Sequence, residues 1–113
     1  MNLLTESDGD VLVIRVAESR IDAAMAIQFK DKMRELTDNK MQRIVLDLSN
    51  VLFLDSSGLG AVVAVMKHLN PERHLELSGL TPSVEKVFRL TRMDSVFTIH
   101  REVPVSGSQR LVI

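Results

Sequence analysis

The chain has no cysteine, tryptophan or tyrosine, and only three prolines and five glycines among 113 residues. Without cysteine there is no disulfide, no thiolate metal centre and no cysteine nucleophile. Four phenylalanines are its only aromatic residues, too few to form a set of stacking rings for single-stranded nucleic acid. Neither sign of charge dominates, with 14 Lys and Arg against 15 Asp and Glu, so there is no basic footprint for a phosphate backbone and no direct nucleic-acid partner is expected. Basic residues do gather at Lys30, Lys32, Arg34, Lys40 and Arg43, but Asp31, Glu35 and Asp38 alternate with them, as on a solvated helix face. Long hydrophobic runs are missing as well. The longest stretch free of charged or strongly polar residues is Gly58 to Met66, far short of the roughly 20 residues of a membrane span. The opening MNLLTESDGD is acidic and lacks a basic-then-apolar order, so neither export nor membrane insertion is expected, and the cytoplasm is the expected location.

What is present is enough chain for one compact domain that buries roughly two-thirds of its unfolded surface. Val11 to Val16 is a β-branched run after the turn signal Asp8-Gly9-Asp10, which predicts a strand, with Leu3-Leu4-Thr5 as the first arm of a hairpin. Asp22 closes a polar loop and predicts a helix N-cap. Met25, Phe29, Met33 and Leu36 then recur at helical spacing on one face. Ile44 to Leu48 is almost continuously apolar and reads as a central strand covered on both faces. Ala61 to Leu69 is apolar nearly all round, as in a buried helix, and Asn70-Pro71-Glu72 ends it. Leu75-Glu76-Leu77 predicts a strand. Thr81-Pro82 predicts the start of a third helix carrying Val84, Val87, Phe88 and Thr91 on its core face, and Val96 to Ile99 predicts a last strand. Strands alternating with helices give an α/β fold with a small mixed sheet. One domain over 1–100 is expected. For the tail at 101–113 the sequence leaves open whether it is disordered or whether Leu111-Val112-Ile113 returns to the sheet or to a partner.

Asp55-Ser56-Ser57-Gly58-Leu59-Gly60 stands where a buried strand region hands over to a buried helix. The first turn of a helix has free backbone N–H groups and the positive end of the dipole, so it accepts negative charge. On packing grounds alone one serine caps the helix, Asp55 meets the dipole and the glycines allow tight packing. Capping needs only one hydroxyl, however, and two glycines in a first turn cost about 1 kcal/mol each relative to alanine, which points to an open, small-residue surface. Catalysis fits less well. The segment lacks the first glycine of the Gly-x-Ser-x-Gly elbow, and none of His68, His74 and His100 has an acidic neighbour at a meaningful spacing to act as a base. No lysine follows the glycines as a phosphate loop requires, and the histidines lack metal-ligand spacing. No enzyme activity, metal or cofactor is expected.

Leu48-Ser49-Asn50-Val51-Leu52-Phe53-Leu54-Asp55-Ser56-Ser57-Gly58-Leu59-Gly60 resembles the signature of STAS domains, specifically bacterial anti-sigma factor antagonists of the SpoIIAA/RsbV type. The resemblance runs from Val11 to about His100 and takes in Arg20-Ile21-Asp22 and Gly79-Leu80-Thr81-Pro82-Ser83-Val84. It implies a STAS fold with a sheet of four to five strands and three to four helices. It also implies a switch protein acting by partner switching: the unphosphorylated form binds an anti-sigma factor that is also a serine kinase of the GHKL type and so frees a sigma factor. Phosphorylation of Ser56 blocks that binding, and a PP2C-type serine phosphatase resets it. On this resemblance Ser57 is the better helix cap, and Asp22, Asp55, Ser57, Gly58 and Gly60 surround the docking face, with Asp22 equally well read as a cap. Phe53 and Leu54 are exposed anchors or core, core being favoured. Two features depart from the family pattern: the 69–74 loop lacks a glycine, and 101–113 does not read as a closing amphipathic helix. The alternative implied function is a non-phosphorylated STAS subunit of a transporter or signalling scaffold.

Overall fold

A computed structural model describes residues 1–39 and 41–104. The hairpin forms as β1 (Leu3–Asp8) and β2 (Val11–Val16), antiparallel with Leu3 opposite Val16 and Asp8 opposite Val11. The turn is therefore only Gly9-Asp10, and Asp8 belongs to the strand. Gly9 makes this possible, because its φ of 65° lies in the left-handed region open to glycine. Next come β3 (Arg20–Ile21), α1 (Ala26–Leu36), β4 (Arg43–Asp47), β5 (Phe53–Leu54) and α2 (Ser56–Leu69). The chain closes with β6 (His74–Ser78), α3 (Pro82–Leu90), a 3-10 turn at Met93–Ser95 and β7 (Ile99–His100). Five strands build one sheet in the order β1-β2-β4-β6-β7, parallel beyond the hairpin, while β3 and β5 pair in parallel as a separate two-stranded sheet. With three α-helices among the described residues, this is the mixed α/β architecture expected.

Residues from all three helices share one core with the alternate sheet residues Leu12, Ile14, Val16, Ile44, Leu46, Leu75 and Leu77. Phe29 and Met33 fill it from α1, Ala61, Val62, Val65 and Leu69 from α2, and Val84 and Phe88 from α3. The central strand β4 is covered on both faces, as expected: by the helices on one and, on the other, where Val45 packs with Val11 and Val13, by Val103. Three other sequence expectations are corrected. Helix α2 is not buried all round, since Ser56, Ser57, Gly60, Ala64, Lys67 and His68 are exposed along one side. The last strand is shorter than Val96 to Ile99, because Phe97 turns inward to meet Phe88 edge-on, with ring centroids 5.8 Å apart. Thr91, expected on the core face of α3, is exposed and returns its hydroxyl to the Val87 carbonyl. The Leu111-Val112-Ile113 question lies outside the described residues.

Charged pairs occupy the sheet face away from the helices. Arg15 Nε meets Asp47 Oδ2 at 2.8 Å. Arg43 grips Glu76 with two hydrogen bonds of 2.8 and 2.9 Å, and His100 Nε2 lies 2.6 Å from Glu76 Oε1. His100 thus has an acidic neighbour after all, supplied by the pairing of β6 with β7 and so invisible in sequence spacing. Burial pushes the Glu76 carboxyl up, but hydrogen bonds from Arg43 and His100 and their charges outweigh it and hold Glu76 below its ordinary range. A carboxylate with a lowered folded pKa contributes stability above its unfolded pKa and loses it as pH falls through the folded value. Urea unfolding from about pH 6 down to about pH 3 is therefore expected to show a steeper loss of stability in the wild type than in Glu76→Gln. Parallel curves would mean that Glu76 carries no such linkage.

Candidate functional site

The small β3–β5 sheet positions the Asp55 segment. Arg20 lies opposite Phe53 and Ile21 opposite Leu54, so the chain leaving β3 and the chain entering α2 emerge side by side. Leu54 and Ile21 are buried, whereas Phe53 is 49% and Leu52 61% exposed. The sequence left open whether Phe53 and Leu54 are exposed or core; strand alternation splits them, exposing Phe53 and burying Leu54.

Asp55 caps α2 itself: its Oδ1 accepts from Gly58 N at 2.8 Å. The expectation that a serine, Ser57 in particular, caps this helix is corrected, because a carboxylate at the N-cap already satisfies the first-turn N–H. The other Asp55 oxygen accepts from Ala23 N at 3.1 Å, so one side chain ties the start of α2 to the loop before α1. Asp22 is not the N-cap of α1 either. Its Oδ1 accepts from Ala24 N at 3.1 Å and its carbonyl from Met25 N at 3.0 Å, which makes a local turn and delays the helix to Ala26. Asp22 Oδ2 also lies 3.4 Å from Arg20 Nη1, and the Arg20 guanidinium sits 5.7 Å from the Phe53 ring centre.

The two serines of the first turn are both exposed, and among the described residues neither hydroxyl has a hydrogen-bond partner. The two glycines behave differently. Gly58 is buried, and a Cβ there would run into the Ile21 carbonyl oxygen and lie 2.9 Å from both the Ile21 carbonyl carbon and Leu54 Cδ1. Gly60 is exposed, with nothing within 4 Å of a Cβ. One end of the molecule thus brings together Asp22, Asp55, Ser56 and Ser57, with Gly60 a turn further along α2 and Gly58 turned inward beneath them. Leu52 and Arg20 belong to this surface too, although sequence reasoning gave them no role there. The β3–β5 register that joins them has no periodic signature in strands of two residues.

Chemically the site offers a free hydroxyl at a helix N-terminus, where added negative charge is tolerated. His68 lies twelve residues along α2 from Ser56, roughly 18 Å of helix away, and His100 is engaged by Glu76. Among the described residues, no group of three or more His, Asp or Glu side chains could hold a metal ion, and no helix is long and apolar enough to cross a membrane.

Comparison with known proteins places this geometry in a family. BtrV of Bordetella bronchiseptica is 30% identical over 97 residues, covering 85% of this chain and 84% of its own. The anti-sigma-B factor antagonist of Staphylococcus aureus is 21% identical over 106 residues, covering 93% and 97%. Among solved structures, an anti-sigma factor antagonist from Mycobacterium paratuberculosis superposes with a TM-score of 0.81 at 25% identity, covering 90% and 86%. The Bacillus cell fate determinant SpoIIAA in its phosphorylated form superposes with a TM-score of 0.62 at 20% identity, covering 98% and 96%. The family model for the STAS domain matches residues 2–105, and the chain belongs to the STAS domain family.

Proposed function

We propose that the chain is an anti-sigma factor antagonist that works by partner switching. In this reading the unphosphorylated protein docks on an anti-sigma factor that is also a GHKL-type serine kinase, and so releases a sigma factor. The kinase transfers the γ-phosphoryl group of ATP to Ser56 Oγ, leaving ADP and ending the contact; a PP2C-type phosphatase hydrolyses the ester and restores it. The observation that carries the proposal is the Ser56 hydroxyl, exposed and unpartnered at the first position of α2. Beside it stands a carboxylate whose two oxygens are already engaged. Relatives named as anti-sigma factor antagonists support the same reading.

The docking face comprises Asp22, Asp55, Ser57 and Gly60 around Ser56, with the exposed Leu52 and Phe53 as its apolar anchors and Gly58 holding the face in place from beneath. Apolar and arginine side chains concentrate binding energy at interfaces, and Arg20 stacked on Phe53 fits that pattern. A phosphate adds about −1.5 to −2 charge at pH 7 next to Asp55, enough to repel an apolar or acidic surface while the helix N-terminus keeps the fold intact. The test compares two variants by titration against the purified kinase: Ser56→Ala keeps the partner and Ser56→Asp loses it. Equal binding by both would contradict a switch at Ser56. It would favour a constitutive STAS subunit of a transporter or signalling scaffold instead.

A further inference from the structure

Helices α1 and α2 run side by side in the same direction. Ala23, just before α1, is bonded to Asp55 at the start of α2, and further along Lys30, Arg34, Thr37, Ala64, Val65 and His68 line a single cleft. The exposed side of α2 next to this cleft reads Gly60, Ala64, His68 at four-residue spacing, so its floor is nearly without side chains towards the Ser56 end. The α1 wall carries Ile27, Lys30 and Arg34 at spacings of three and four, and Ile27 is 68% exposed. Ile27 and Gly60 lie outside the cleft itself, one turn towards the Ser56 end on the same helix faces, so the surface runs from an apolar stretch near Ser56 to the cationic cleft of Lys30 and Arg34. Among the described residues neither Lys30 nor Arg34 forms an ion pair. Asp31, Glu35 and Asp38 line the outer continuation of the cleft, together with Arg34, His68 and Arg73. Arg73 is occupied by the carbonyls of Thr37 and Asn39 at 2.6 and 2.9 Å.

We propose that this α1–α2 groove is a second docking surface, for an amphipathic helix of a protein partner with an apolar anchor at one end and carboxylates about two turns on. Ile27, Gly60 and Ala64 take the apolar anchor, and Lys30 and Arg34 take the carboxylates. The unpaired charges select acidic side chains, and the small floor lets a helix backbone approach closely, as in helix-in-groove recognition. The surface shares Gly60 with the face around Ser56 but does not use the Ser56 hydroxyl.

The test is amide NMR of the full chain titrated with a 16-residue helical peptide (roughly four turns) bearing leucines on one face and two glutamates at its C-terminal end. Shifts are expected at Ile27, Lys30, Gly60, Ala64 and His68, with affinity at least tenfold weaker for Lys30→Glu/Arg34→Glu and for the wild type in high salt. The same peptide with lysine in place of glutamate is expected not to bind. Absence of shifts at these residues, equal binding by the lysine peptide, or the same shifts from inorganic phosphate alone would each overturn the proposal. Shifts retained in Ser56→Asp separate this surface from the switch, because a failure of either reading leaves the other measurable.

Discussion

Ser56→Asp is expected to weaken binding to the antagonist's partner at least a hundredfold, while Ser56→Ala binds like the wild type. The residue is exposed and its hydroxyl makes no hydrogen bond among the described residues, so its removal breaks no bond in the fold. A carboxylate in its place sits at the first position of α2, where the dipole and free N–H groups favour it by about 0.3–1 kcal/mol. Thermal stability is therefore expected to be unchanged or slightly raised. Docking is another matter, because a partner must then cover an added charge directly beside Asp55, while Arg20, the cation on this face, is already paired with Asp22. Burying an unpaired charge in an interface is costly, and about 3 kcal/mol is more than a hundredfold in affinity. A loss of binding with no loss of melting temperature separates a switch from simple unfolding. Isothermal titration and a thermal melt on the same samples decide it.

Gly58→Ala is expected to destabilise the domain by about 3 kcal/mol, against a helix propensity that would favour alanine by about 1 kcal/mol. The added methyl would meet the Ile21 carbonyl, which is backbone held by the β3–β5 pairing and cannot swing aside as a side chain could. Gly60→Ala is expected to do the reverse and stabilise by up to about 1 kcal/mol, because nothing stands near its Cβ. Urea titrations of the two variants check this directly. Equal and small effects at both positions would mean that Gly58 does not need its closeness to Ile21. The pair also explains the two glycines near the start of α2: Gly58 admits another part of the same chain, whereas Gly60 leaves the surface of α2 open.

The strands and helices that bury whole periodic faces were legible in the sequence: the β-branched run at β2, the apolar run at β4, and Phe29 and Met33 at helical spacing on α1. Misread features were those decided by tertiary contact. Asp22 has the chemistry of a cap, but its carboxylate is drawn into a turn with Ala24, and α1 starts four residues later. Apolar residues all round α2 suggested full burial, yet alanine and glycine also serve on an open face, and composition cannot tell the two apart. The Asp55 segment stands out in the sequence by its departure from ordinary helix-start composition, and the structure places it, exposed serines included, at the start of α2. Its cap was misassigned to serine because a carboxylate and a hydroxyl are equally good acceptors there. Arg20 and Leu52 gave no signal, since strands of two residues carry no period from which their register could be read.

The central claim is that Ser56 is the residue whose phosphorylation state decides partner binding. Intact-mass spectrometry of the protein purified from its native cells, with fragmentation across Val51 to Lys67 and a parallel sample treated with a PP2C-type phosphatase, tests it most directly. The account predicts a single phosphoryl group on Ser56 that the phosphatase removes. A phosphate on Ser57 would move the switch by one residue, and persistent absence of phosphate across growth phases and stresses would contradict the switch altogether.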